Sequence, residues 1–162
     1  MTTFTVWKYD DPDGANHAVS VLQRAADEGL VKIDDHAVVS WPEGAERPTT
    51  KHGHEDTWRG TGWGALFGLL FGALFAVPVL GLAVGAAGGA LSKVHERLGI
   101  SKEQLDRIRE EVTPGTSALF LVTQQGDLDR LGERMRGVHS RLIETNLTEA
   151  ERTELMETFD NN

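Results

Sequence analysis

Cysteine is absent from this 162-residue chain, which excludes disulfide staples, thiolate metal sites and cysteine nucleophiles. Positive charge is scarce: 16 lysines and arginines face 25 aspartates and glutamates, a formal net charge of -9. Most of the surface would repel a nucleic acid, so none is expected as a partner. The opening MTTFTVWKYDDPDG has no basic n-region, apolar h-region or small-residue cleavage site, and the chain is expected to stay inside the cell. No nucleophile stands beside a base, and no glycine-rich loop leads into the Lys-Ser/Thr of a phosphate cradle. A non-enzymatic protein without a cofactor is the expectation.

Charge is missing altogether from one stretch. Gly60 to Ser92, GTGWGALFGLLFGALFAVPVLGLAVGAAGGALS, carries no formal charge in a chain that is 25% charged overall. Gly64, Gly68, Gly72 and Ala76 recur every four residues, and beyond Pro78 the spacing restarts at Gly81, Gly85 and Gly89. On a helix such a row forms a groove that admits a second backbone closely, so these residues are the candidates for helix packing and homo-oligomerisation. Phe67, Phe71 and Phe75 run beside the groove and Leu66, Leu70 and Leu74 behind it, leaving no polar face. A helix apolar all round must be covered all round, by lipid or by protein. The glycines from Gly64 to Gly89 cost a helix about 4 to 7 kcal/mol against alanine, which only close packing or a non-aqueous solvent offsets.

Pro78 lacks an N–H and disfavours helix at Val77, which predicts a bend or tight hairpin with arms over 62–76 and 79–92. The block is too long for one upright span of about 20 residues and too short for two. Trp58 and Trp63 flank its start, where indoles suit a bilayer interface or an inter-subunit contact, as the three phenylalanines do.

The polar flanks divide the chain into 1–58, 59–93 and 94–162. FTVWKY before DDPDG predicts a strand over 3–9. Asp11 as N-cap and Pro12 at the first helical position predict a helix over 12–28 that stops at Gly29. LVKIDDHAVVSW is a second strand, bent at Asp34-Asp35, and TTKHGHED reads equally as a short edge strand or a linker. Beyond the block, Ser101 and Gln104 form a capping box with Ile100 and Leu105 at the staple positions, placing a helix over 102–112. The apolar run in TPGTSALFLVTQQGD suits a central strand buried on both sides. A helix through Leu128, Leu131 and Met135, a strand in VHSRLIETNL and a helix capped by Thr148 follow.

Each flank is near the lower limit for folding alone, so the two are expected to complete one sheet. The fold class that results is α+β: a ferredoxin-like sandwich with helices on one face and the apolar glycine-zipper hairpin inserted between its halves. One sheet shared by both flanks puts both ends of the hairpin in one compartment; Lys51, Arg59, Lys93 and Arg97, on both sides of it, do not decide the topology and are consistent with that arrangement.

Two polar clusters invite a chemical reading. His52 and His54, with Glu55 and Asp56, offer imidazole and carboxylate to a divalent metal, but the spacing suits a solvated linker and they are a weak metal candidate. DDPDG lacks the ligand spacing and terminal glutamate of a calcium loop and reads as a turn and helix cap.

TVWKYDDPDGA, AVVSWPEG, FAVPVLGLAVGAAGGAL and VTPGTSALFLV together resemble a bacterial family of unknown function whose members are described as uncharacterised membrane proteins, sometimes linked to stress response. The resemblance implies membrane association and supplies no catalytic residues. Together these readings lead to the expectation of a self-associating protein of the bacterial cell membrane, its hairpin in lipid and its acidic domain on the cytoplasmic side. The alternatives are a soluble homo-oligomer whose hairpins share a common core and a ferredoxin-like ligand or metal sensor.

Overall fold

A computed structural model describes residues 2–30, 32–46, 48–52, 74, 99–124, 133, 141–145, 150 and 153. Five strands and two helices fall within them: β1 (Thr2–Tyr9), α1 (Gly14–Asp27), β2 (Ile33–Trp41), β3 (Thr49–His52), α2 (Lys102–Glu111), β4 (Thr116–Gln124) and β5 (Arg141–Thr145). The strands form one sheet in the order β3-β2-β4-β1-β5, with every neighbouring pair antiparallel. The fold is therefore α+β, and its sheet draws on both flanks of the apolar block: β4 lies between β1 and β2, pairing Val6 with Phe120 on one side and Val38 with Leu119 on the other. TTKH is an edge strand on β2, which resolves the choice left open at that point.

Alternation along β4 builds two cores. Ala118, Phe120 and Val122 point to one face, where Phe4, Val6, Ala37 and Val39 meet Ile100, Leu105, Ile108 and Val112 from α2 and its flanks. Leu119 and Leu121 point to the other, where Trp7, Tyr9 and Val38 meet Ala15, Ala18 and Leu22 of α1. The two helices thus cover opposite faces, which corrects the expectation of helices on one face. A strand as uniformly apolar as β4 needs cover on both sides.

Local chemistry sets the element ends. Ser101 Oγ accepts from the Gln104 N–H while the Gln104 side chain accepts from the Ser101 N–H, the capping box read from sequence. Gly29, at φ 75°, closes α1: its N–H reaches the Ala26 carbonyl and that of Leu30 the Ala25 carbonyl. The β2 bend is a bulge, since Ile33 faces Thr123 but Asp35 faces the very next residue, Val122, leaving Asp34 as the extra residue.

The start of α1 differs from expectation. The N-cap is Asp13, and Asp11 instead accepts the Asp13 N–H on its carboxylate in an Asx turn. The hydroxyl of Ser117, from β4, accepts the Ala15 N–H at 3.0 Å and donates to the Asp11 carbonyl at 2.7 Å. A strand distant in sequence therefore caps this helix. Gly14 is required there because a Cβ would lie 2.5 Å from Tyr9 Cβ. The helices expected after β4 and after β5 lie largely outside the described residues, with Glu133, Ala150 and Thr153 helical.

Candidate functional site

The α2 face of the sheet receives Leu74, the described residue of the apolar block. Leu74 is helical, 2% exposed, and packs in the cluster that holds Phe4, Val6, Phe120 and Ile108. Its carbonyl accepts a hydrogen bond from Arg109 Nε, in the last turn of α2, at 3.0 Å. Arg109 Nη1 also reaches Asp106 Oδ1 at 3.2 Å, a pair spaced i,i+3 on the exposed side of the helix.

Around this seat α2 is tied to the strands by polar links. Gln104 Nε2 donates to the Thr145 carbonyl, and the Thr145 hydroxyl donates to the Phe4 carbonyl, joining α2 to β5 and β5 to β1. Glu111 Oε2 accepts from Lys8 Nζ at 3.3 Å and from Arg141 Nη2 at 2.6 Å. Burial alone would raise the Glu111 pKa, but the Lys8 hydrogen bond and the nearby charges of Arg141 and Lys8 outweigh it and hold the group below its ordinary 4.5. The seat is thus a sheet face rimmed by fixed charges, and Leu74, the described residue of the central block, is bound in it.

The DDPDG cluster serves the turn and the α1 cap, as its spacing implied. Asp35 and His36 are buried at the β2 bulge, where the Asp35 carboxylate accepts the His36 N–H. Among the described residues no group of three or more histidines and carboxylates could hold a metal ion. Among the same residues no helix is long and apolar enough to cross a membrane.

The family comparison covers the block and the part of the seat that α2 and β4 supply. The model of the family described as protein of unknown function, DUF1269, matches residues 61–160. The chain belongs to DUF1269. The DUF1269 match includes the glycine-rich block, α2, β4 and β5, and leaves β1, α1, β2 and β3 outside it. Two of the segments on which the resemblance was read, TVWKYDDPDGA and AVVSWPEG, therefore precede the match. No curated protein and no solved structure matches the chain.

Of the residues singled out from sequence, Gly64, Gly68, Gly72, Ala76, Pro78, Gly81, Gly85, Gly89, Phe67, Phe71, Phe75, Trp58, Trp63 and His54 lie outside the described residues, and His52 ends β3. Leu74 belonged to the row placed behind the groove, and the structure gives that row's last member a partner surface. Arg109 was not singled out, because an arginine three residues after an aspartate on an amphipathic helix reads as an ordinary surface pair.

Proposed function

We propose that this protein is a non-enzymatic, self-associating protein that attaches to a membrane through its glycine-zipper block, with the α+β domain as a carrier on the cytoplasmic side. The observation that carries this reading is the burial of Leu74 in the sheet core. A helix turns about 100° per residue, so one that points Leu74 at the sheet turns positions 72 and 76 about 200° away. On such a helix Gly72 and Ala76 would face away from the sheet, open to the approach of a second copy. Phe75 would lie about 100° from Leu74 on the same helix, at the flank of the seat, where lipid or a neighbouring subunit can reach it.

The shared sheet supports a re-entrant or hairpin arrangement. Residues 2–52 and 99–145 contribute strands to one sheet, so the 53–98 segment must begin and end on the same side of any bilayer it enters. The finer fold is proposed as ferredoxin-like in its strand order, with α1 on one face and α2, which precedes β4, an addition on the other. Without the edge strand β3 the order is β2-β4-β1-β5, β1 runs parallel to β2 across β4, and β4 runs parallel to β5 across β1, the pairing of two split βαβ units.

Sedimentation of a cell lysate without detergent tests attachment: the membrane reading expects the chain in the pellet, recovered with detergent, and one large species in the supernatant would overturn it. Gly68→Leu should close the groove and lower the oligomer mass, and an unchanged mass would refute zipper packing. A second reading, a soluble homo-oligomer with its apolar blocks in a common core, is favoured by the same Leu74 contact, which covers part of the block with protein.

A further inference from the structure

The carbonyl of Leu74 has a chemical peculiarity written in the sequence. In an α-helix the carbonyl of residue i accepts the N–H of residue i+4, and the residue four positions after Leu74 is Pro78, which has no N–H to give. A helical residue at 74 therefore needs a donor from elsewhere, since a buried carbonyl left without one costs about as much as a lost hydrogen bond. The described structure supplies it: Arg109 Nε, on α2, lies 3.0 Å from that oxygen and brings a full positive charge. The Leu74 side chain is simultaneously locked among Phe4, Val6 and Phe120.

We infer that Arg109 is a latch, its guanidinium replacing on the Leu74 carbonyl the amide proton that Pro78 lacks and so pinning the proline-bearing segment to the α2 face of the sheet. The bond is charge-assisted, which makes it stronger than a bond from a neutral amide. It also gives the proline a purpose that a bend alone does not. In a helix continued through position 78, a residue with an N–H there would satisfy the Leu74 carbonyl within the segment and leave the segment less dependent on the domain. On the proposed membrane reading, which this last step rests on, transfer of the Leu74 turn into lipid requires the Arg109 bond to break, so the latch sets the balance between the docked and the inserted segment.

The test is a double-mutant cycle in the full-length chain: wild type, Arg109→Met, Pro78→Ala and the pair, each unfolded in urea and each mixed with phosphatidylcholine vesicles and floated. Arg109→Met keeps most of the aliphatic stem and removes the donor. It should lower the folding equilibrium constant about tenfold in the Pro78 background and about twofold or less in the Pro78→Ala background, where an N–H is present at position 78. Arg109→Lys should fall between wild type and Arg109→Met. Equal losses in both backgrounds, or no loss in either, would overturn the latch. Flotation separates the latch from the membrane reading. Greater vesicle binding by Arg109→Met than by wild type supports both, whereas coupling in urea with no variant bound to vesicles keeps the latch and removes the membrane reading.

Discussion

Leu74→Ala asks whether the apolar block is part of the domain's own core. Leu74 is 2% exposed and packs in a cluster that includes Phe4, Val6, Ile108 and Phe120. Removing three carbons from such a site costs about 2–5 kcal/mol, the transfer free energy of the lost atoms plus the cavity they leave. A domain of this size is stable by about 5–15 kcal/mol, so the loss is a large share of the total. With a urea dependence of about 2 kcal/mol per molar, a 3 kcal/mol loss lowers the midpoint by about 1.5 M. Trp7 is buried in the cluster on the opposite face of the sheet, so loss of its native environment reports unfolding of the sheet rather than a local rearrangement. Far-UV circular dichroism should give the same midpoint. Phe120→Ala, in the same cluster as Leu74, supplies the positive control. A Leu74→Ala midpoint within about 0.3 M of wild type, beside a clear drop for Phe120→Ala, would refute the placement of Leu74 in the core and with it the orientation proposed for Gly72 and Ala76.

Ser117→Ala removes the acceptor for the Ala15 N–H and the donor to the Asp11 carbonyl, and should destabilise the protein by about 2 kcal/mol in the same urea titration. Loss of protection at the first amides of α1 in hydrogen exchange would accompany it, and unchanged protection there would contradict the cap. Glu111 has a depressed pKa in the folded state, so its contribution is present above the ordinary 4.5 and disappears as pH falls through the lower folded value. Glu111→Gln should flatten that acid limb of the stability profile. The side chain is 38% exposed, so the effect is small and shrinks further with salt, and an acid limb identical to wild type at low salt would refute the coupling to Lys8 and Arg141.

Features encoded within a few residues were legible in the sequence. The Ser101–Gln104 box and the Gly29 stop each arise from hydrogen bonds or backbone preferences among near neighbours, and the bend at Asp34-Asp35 was visible as polar residues interrupting an apolar run. Features that depend on remote partners were not. The N-cap of α1 moved from Asp11 to Asp13 because Asp11 is engaged by the Asp13 N–H and by Ser117, more than a hundred residues away. The amphipathic stripes of α1 and α2 reveal that each helix buries one side, but a stripe carries no information about which face of the sheet receives it. That information lay instead in β4, whose apolar residues at both odd and even positions call for cover on both faces. The candidate site followed the same rule. The apolar row containing Leu74 was visible from spacing alone, while its seat on α2 needed the tertiary structure.

The position of β4 at the centre of the sheet also orders events during synthesis. Its pairing joins Thr2 to Gln124, so β1 and β2 have no central partner until the ribosome has made the whole apolar block and then α2. At about 5–20 residues per second, several seconds separate emergence of the block from completion of the strand that closes the sheet. For that interval the seat for Leu74 does not yet exist, and the most water-averse part of the chain is exposed before its own receptor. Whatever meets the block first in that window, whether a bilayer, a chaperone or another nascent copy, competes with the late strand for it, so the translation rate between residues 92 and 124 becomes a determinant of where the protein ends up.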